Sequence, residues 1–235
     1  MSFRTRSPDD IFEEIVECYH ENNIREIDFF DSCFTLKKDR VIKLCKKLQE
    51  KNLNIIWSAR SRVDNVDMKM LLEMKRAGCK RIYYGIESGV NKILNNLKKG
   101  ITLNQIKKTI KMTNEIGIDT FGYFMVGSPG ETKTTINKTI EFAKSLNLTY
   151  AQFSKLSTLP GTILYELWKK EYGTDYWRDY ILKKDHKIMK RYNCSLSNEE
   201  IDDFIKKAYM KFYFRPGCII KHINKKKNIS QIKRA

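Results

Sequence analysis

The stretch KRIYYGIESGVN, residues 80–91, predicts a buried strand that ends in a glycine-containing turn. Its run of aromatic and β-branched residues is bounded by turn residues, which is typical of strands inside a core. The two glycines allow a sharp change of chain direction and the close approach of a ligand. Glu87 follows this strand at its carboxyl end, where parallel α/β folds bind ligands. The plainer alternative is a tight strand-to-helix turn with an exposed glutamate.

The same strand-then-helix pattern occurs five times in succession. The predicted strands cover residues 24–30, 53–59, 82–86, 120–126 and 150–156. Strands separated by single helices must be parallel, with right-handed crossovers, and both doubly wound sheets and barrels are built this way. Gln152 and Ser154 alternate with apolar residues in the fifth strand. A doubly wound sheet would bury such polar groups at a cost, so the sequence favours an α/β fold of open or partial barrel type.

A helix without a preceding strand is predicted at the start of the chain, where Ser7 and Pro8 form an N-terminal signal. Near residue 171 the pattern changes to aromatic and charged residues without a clear period. Ser197 predicts the start of a last helix, which Pro216 ends. We therefore expect a barrel over residues 1–170 and a mainly helical extension over residues 171–235, ending in a basic tail.

Length and composition narrow the class of protein. The chain has 235 residues, of which 41% are hydrophobic, enough for one large α/β domain. No membrane-spanning run and no leader pattern is present, which predicts a soluble, cytoplasmic protein. The six cysteines include no C-x-x-C pair, so zinc-ribbon and dithiol motifs are excluded, and nothing suggests a disulfide framework.

The net charge of +17 is a candidate footprint for nucleic-acid binding. Most of the excess, however, is lysine spread over predicted helix faces. Only residues 225–234 form a basic run, and such tails are usually solvated. Nucleic-acid binding therefore stays an alternative to a small-molecule ligand.

Polar residues recur at or near the predicted carboxyl ends of all five strands, which meet at one edge of a parallel sheet. They are Asp31 and Ser32, Ser58 and Arg60, Glu87 and Ser88, Gly127, Gly130 and Glu131, and Gln152 with Ser154. Carboxylates suit amino and ribose hydroxyl groups, an arginine suits a carboxylate, and glycines admit a flat ring. This rim predicts a zwitterionic, nucleoside-like ligand. The sequence contains no Walker-type phosphate loop and no pattern of a Ser-His-Asp triad.

Five motifs in this order resemble the radical SAM superfamily, and most closely its members with an N-terminal cobalamin-binding domain. They are RxRSP at 4–8, FDxxF at 30–34, GIESG at 85–89, GxPGET at 127–132 and PGT at 160–162. The FYFRP stretch at 212–216 is similar to the C-terminal helix end of that group. The resemblance implies a six-stranded partial TIM-type (βα) barrel that holds S-adenosylmethionine (SAM) against a four-iron, four-sulfur cluster. One electron from the cluster would cleave SAM to methionine and a 5′-deoxyadenosyl radical, which takes a hydrogen atom from a small-molecule substrate.

The resemblance also implies roles for individual residues. Asp31 would hold the amino group of SAM, Arg60 would be near its carboxylate, and Glu87 near its ribose. The loop from Gly127 to Glu131 and the end of the fifth strand would lie against the adenine. Where the family usually has a second aspartate this chain has Ser32, which weakens the amino-group site.

The iron–sulfur loop of the superfamily, C-x-x-x-C-x-x-C, is absent from the sequence, since no cysteines have that spacing. The resemblance therefore implies the C-terminal part of such an enzyme, cut just after its cluster loop and lacking the first barrel strand and any cobalamin domain. The strand at 24–30 would then be an unpaired edge, which is an aggregation hazard. We expect either an incomplete polypeptide or one that pairs with a separate fragment carrying that strand and the cysteines.

The sequence leaves several functional alternatives open. The chain could be the SAM-binding portion of an enzyme that performs methyl transfer or oxidative ring chemistry and is inactive without its cluster segment. It could instead be a non-catalytic remnant that binds SAM weakly, or a basic nucleic-acid-binding protein. Whether these residues catalyse a reaction, and on which substrate, does not follow from the sequence.

Overall fold

A computed structural model describes residues 4–182 and 189–220. Its five parallel strands lie in one sheet in the order of the sequence. They are β1 Glu26–Phe29, β2 Ile56–Ser61, β3 Cys79–Glu87, β4 Asp119–Val126 and β5 Tyr150–Lys155. At least one helix lies between each strand and the next, which confirms the predicted α/β fold of partial TIM-barrel type.

Helices make up most of the remaining described residues. They are α1 Pro8–Glu21, α2 Lys38–Lys51, α3 Met68–Arg76, α4 Asn91–Asn96, α5 Leu103–Glu115, α6 Lys133–Ser145, α7 Ile163–Tyr172, α8 Tyr176–Ile181 and α9 Asn198–Tyr213, with a short 3-10 helix at Phe34–Leu36. Capping boxes at Ser7, Thr102 and Ser197 start α1, α5 and α9, as the sequence predicts. The helical extension after residue 170 is confirmed for the described residues, although the boundary itself stays a prediction.

The two faces of the sheet differ in character. Outward-facing residues such as Ala59, Ile82 and Phe124 are buried in the core beneath the helices. The opposite, inner face carries aromatic and polar side chains that remain partly exposed, among them Tyr83 and Tyr123, whose rings stack 5.9 Å apart. This alternation confirms the expectation of a polar barrel interior, since period 2 sends neighbouring residues of a strand to opposite faces.

Several strand boundaries differ from the sequence prediction, and those of β1 and β2 affect the predicted site. β2 continues to Ser61, so Ser58 and Arg60 lie inside the strand and not beyond its end. The polar side chains are tolerated there because Ser58 and Arg60 both bond to Asp28 on the neighbouring strand β1. β1 is shorter than predicted and ends at Phe29, which leaves the ring of Phe30 81% exposed.

The outer edge of β5 is covered by two tyrosines one turn apart on α9. The hydroxyl of Tyr213 lies 3.0 Å from the backbone nitrogen and 2.8 Å from the backbone oxygen of Ala151. Tyr209 contacts the backbone nitrogen of Phe153 in the same way, at 3.2 Å. Each hydroxyl accepts from an edge N–H and donates to an edge carbonyl, so α9 protects an edge that could otherwise pair with another chain.

Replacing both tyrosines by phenylalanine is expected to lower the free energy of unfolding by about 2 kcal/mol, near 1 kcal/mol for each lost set of hydrogen bonds. Urea denaturation followed by circular dichroism measures this. Tyr192→Phe is the matched control, because the Tyr192 hydroxyl makes no hydrogen bond within the described residues. An unchanged midpoint in the double variant would show that the hydroxyls do not secure this edge.

Some sequence predictions fall outside the described part of the chain. The basic run at 225–234 lies there. Within the described ranges, no helix has both the length and the apolar character needed to cross a membrane.

Candidate cofactor site

Glu87 lies in an unusual turn at the end of β3. The N–H of Ser88 donates to the carbonyl of Ile86 at 2.9 Å, which closes a three-residue turn around Glu87. Glu87 has φ of +67°, a left-handed conformation that is costly for a residue with a side chain. Its side chain is nevertheless buried, with the residue only 8% exposed. Backbone strain of this kind concentrates at functional sites, which favours the functional interpretation of the turn over the plain one.

A lysine that the sequence analysis did not identify holds the Glu87 carboxylate. Lys99 Nζ lies 2.7 Å from Glu87 Oε1, and both side chains are mostly buried. The second oxygen, Oε2, is buried and has no hydrogen-bond partner among the described residues. A β-carbon at Gly85 would lie 2.6 Å from Glu87 Oε1 and 2.8 Å from Lys99 Nζ, so a larger residue there would displace the ends of these two side chains. The turn thus presents one uncommitted carboxylate oxygen.

Ser88 and Gly89 attach the turn to α6. Ser88 is fully buried, and its Oγ lies 3.1 Å from Thr139 Oγ1. The N–H of Gly89 donates to the same Thr139 oxygen at 3.0 Å. The Ser88 hydroxyl therefore stabilises the turn through its contact with α6. Its predicted contact with a cofactor stays a prediction.

The loop after β4 is organised by Glu131. Its Oε2 accepts the backbone N–H of Gly127 at 2.6 Å and that of Ser128 at 2.9 Å. The residue is 2% exposed, and burial raises the pKa of its carboxyl group, against the lowering effect of the two N–H donors. Gly127 and Gly130 both have positive φ, at +89° and +79°. Glu131 therefore shapes the loop from inside, and the backbone of the loop is the part left to meet a ligand.

Ser58 and Arg60 converge on Asp28 on the inner face. Ser58 Oγ donates to Asp28 Oδ1 at 2.8 Å, and Arg60 Nη2 lies 3.1 Å from Asp28 Oδ2. The Arg60 guanidinium also covers the ring of Phe30, 3.6 Å from its centre. The sequence analysis did not identify Asp28, although the alternation of Glu26 and Asp28 with apolar residues in β1 places both on the inner face.

Asp31, Gln152 and Ser154 are the more accessible members of the predicted rim. Asp31 follows β1, with Oδ2 at 3.5 Å from Arg40 Nη2 and a side chain that is 42% exposed. Gln152 is exposed on the inner face of β5 and donates from Nε2 to Ser154 Oγ at 3.0 Å. The predicted residues thus lie on the inner face or at the carboxyl ends of neighbouring strands, except that Ser88 and Glu131 are used internally.

This arrangement combines an uncommitted carboxylate oxygen, a partly exposed aspartate and two glycine-bearing backbone turns along one edge of a parallel sheet. Such groups can hold hydroxyl and amino groups and the flat face of a base. Within residues 4–182 and 189–220, no cluster of three or more metal-ligating side chains is present. The described residues therefore do not fit an iron–sulfur cluster.

Comparison with models of protein families shows to which family this chain belongs. The model of the radical SAM superfamily matches residues 2–143. The chain belongs to the radical SAM superfamily. The match covers β1 to β4 and most of α6, and so includes the Glu87 turn and the Gly127–Glu131 loop.

Curated relatives of this radical SAM chain are considerably longer. It is 36% identical over 223 residues to an uncharacterized methyltransferase of Pyrococcus horikoshii, which covers 94% of this chain and 48% of the relative. It is 25% identical over 166 residues to the anaerobic magnesium-protoporphyrin IX monomethyl ester cyclase of Rubrivivax gelatinosus. That match covers 70% of this chain and 30% of the cyclase. The chain thus spans about half the length of these relatives or less.

Solved structures share the fold of this radical SAM chain at low sequence identity. The methyltransferase TsrM of Kitasatospora setae, solved with cobalamin and an iron–sulfur cluster, has a TM-score of 0.65 at 20% identity, covering 71% of this chain and 32% of its own. Coproporphyrinogen III oxidase of Escherichia coli has a TM-score of 0.62 at 15% identity. That match covers 90% of this chain and 47% of the oxidase chain. Both likenesses show the barrel fold.

Proposed function

We propose that these residues form the SAM-binding barrel portion of a cobalamin-type radical SAM enzyme. One observation carries the proposal: Glu87 keeps a buried carboxylate oxygen without a partner, in a strained turn at the carboxyl end of β3. A buried acceptor without a donor is costly, and a ribose hydroxyl of bound SAM supplies the missing donor. Membership of the radical SAM superfamily supports SAM as the ligand of this rim.

The other rim residues divide the remaining contacts. Asp31 is accessible enough to accept the amino group of SAM. Arg60 is already paired with Asp28, so it shares its charge between that carboxylate and the carboxylate of SAM. The backbone of the Gly127–Glu131 loop meets the adenine, and Gln152 and Ser154 complete that side.

The cluster ligands belong outside these residues in this proposal, because no cysteines have the required spacing. A groove of about 520 Å³ lies between α1 and β1, lined by Ile11, Ile15, Ile27 and Phe29 among others. β1 pairs only with β2 in the described part of the chain, which leaves its second edge open. A strand that precedes the cluster loop would complete the sheet by pairing with that edge, beside this groove, whose lining also includes the charged residues Glu14, Asp28 and Arg40.

A cluster held outside these residues would supply the electron that SAM cleavage requires, and the role of the barrel residues in this proposal is to bind SAM and orient it toward a small-molecule substrate. Relatives with names of methyltransferases and cyclases support methyl transfer or oxidative ring chemistry as the reaction. The 235 residues alone are expected to bind SAM without cleaving it.

Isothermal titration with S-adenosylhomocysteine tests the proposal without requiring a cluster. We expect binding to the wild-type chain and about tenfold weaker binding to Glu87→Ala, the equivalent of one charged hydrogen bond. Glu115→Ala, on the exposed surface of α5, is the matched control and should bind like the wild type. Absence of binding to the wild-type chain would contradict the proposal and favour the non-catalytic remnant.

A further inference from the structure

Residues 190–193 cross over the Gly127–Glu131 loop, and we call them the strap. The N–H of Gly130 donates to the carbonyl of Asn193 at 2.7 Å. Arg191 Nη1 donates to the carbonyl of Leu156, also at 2.7 Å. Gly127 directly follows β4 and Leu156 directly follows β5. The strap therefore ties together the carboxyl ends of two neighbouring strands.

The guanidinium of Arg191 packs directly on the backbone of Gly127. A β-carbon at Gly127 would lie 2.8 Å from Arg191 Nη1 and 3.0 Å from its Cζ. A larger residue at this position would displace the end of the Arg191 side chain, and the φ of +89° at Gly127 also disfavours any residue with a side chain. The position of Arg191 therefore limits how far the loop can move toward the extension.

The strap is itself held by α7. Trp168 Nε1 donates to the carbonyl of Lys190 at 2.7 Å, and the Tyr172 hydroxyl donates to the carbonyl of Arg191 at 3.1 Å. Trp168 lies at the end of the barrel portion and Tyr172 at the start of the extension, and neither contacts the loop through these bonds. The strap is thus a fixed support against which the loop rests.

Two buried polar atoms on either side of the loop remain without partners. They are Arg191 Nε and Glu131 Oε1, which no described residue satisfies. Burial lowers the pKa of Arg191 and raises that of Glu131. Burying two such groups is costly compared with an apolar contact, which a simple loop support would not require.

We propose that Arg191 is a positioning residue that fixes the Gly127–Glu131 loop against the end of β5 and thereby sets the selectivity of the site for adenine. This inference rests on the proposed SAM-binding function. Arg191 lies outside residues 2–143, the part matched by the superfamily model, so the selectivity is a property of the extension. A backbone that meets the edge of a base discriminates by hydrogen bonds, and these are lost when the backbone shifts by a fraction of an ångström.

The test compares S-adenosylhomocysteine with S-inosylhomocysteine, in which an oxygen replaces the amino group of the base. Wild-type protein is expected to prefer the adenine compound. The measured quantity is the dissociation constant of S-inosylhomocysteine divided by that of S-adenosylhomocysteine. Arg191→Met should reduce this ratio about tenfold, the equivalent of one hydrogen bond. Arg178→Met, an exposed arginine of α8, is the matched control and should leave the ratio unchanged.

The ratio separates positioning from a merely structural role, which would weaken both ligands equally. If Arg191→Met does not fold, Trp168→Phe replaces it in the test. This variant loses the hydrogen bond to the strap but keeps most of the packing, and it should also lower the ratio. An unchanged ratio in a folded variant overturns the inference. If the wild-type chain binds neither compound, the proposed function fails as well, whereas binding without any preference overturns only the role of Arg191.

Discussion

Replacing Glu131 by alanine is expected to lower the free energy of unfolding by about 3 kcal/mol. Two buried backbone donors, the N–H groups of Gly127 and Ser128, share the Glu131 carboxylate as their acceptor. Each buried donor left without an acceptor costs about 1–3 kcal/mol. Urea or thermal unfolding of the purified chain measures the loss.

Glu131→Gln is the matched variant. Its side-chain oxygen can accept both N–H groups, and its uncharged amide removes the cost of burying a carboxylate. We expect its free energy of unfolding to lie within about 1 kcal/mol of the wild-type value at neutral pH. A glutamine variant as unstable as the alanine variant would show that the charge, and not the two accepted hydrogen bonds, holds the loop.

The two variants also predict a pH dependence. Burial raises the pKa of Glu131, so the folded protein holds this proton more tightly than the unfolded chain, where the pKa is about 4.3. This group therefore makes the wild type less stable as pH rises through the window between the two pKa values. The stability of Glu131→Gln relative to the wild type should increase across that window and level off above it. A constant difference from pH 4 to pH 7 would contradict the raised pKa.

The fold was largely predictable because it depends on repeated local patterns. Capping signals and apolar periodicity located the helices and the five strands, since each signal acts over a few residues. The alternation at Gln152 and Ser154 correctly indicated a polar inner face. The boundaries of β1, β2 and β3 were misplaced by one to three residues, because the partner strands decide where a ladder starts and stops.

The candidate site was predictable only in outline. Glu87 and the Gly127–Glu131 loop were found because each follows a strand in a glycine-containing turn. Lys99 and Arg191 were missed because no spacing rule connects Lys99 to Glu87, 12 residues away in sequence, or Arg191 to Leu156, 35 residues away. The hydrogen bonds from the loop backbone to the Glu131 carboxylate were missed as well. A glutamate after a glycine turn can accept hydrogen bonds from a ligand or from nearby backbone N–H groups, and the sequence does not distinguish the two.

Replacing Lys99 by methionine is expected to be the second strongly destabilising change. Methionine keeps the apolar stem but removes the ammonium group that lies 2.7 Å from Glu87 Oε1. The Glu87 carboxylate would then be buried without its cationic partner, in a turn already strained at φ of +67°. Removing one partner of a buried pair costs 3–5 kcal/mol, and because Lys99 keeps some exposure we expect about 3 kcal/mol.

A double-mutant cycle shows whether this loss comes from the ion pair. Glu87→Gln combined with Lys99→Met removes both charges, and should recover about 2 kcal/mol relative to the sum of the single changes. Lys92→Met, on the exposed face of α4, should have no measurable effect. Additive single changes would show that Lys99 acts through its packing. A recovered double variant that still binds S-adenosylhomocysteine poorly would separate the two roles of Glu87, because its charge would then serve the ligand while the ion pair serves the fold.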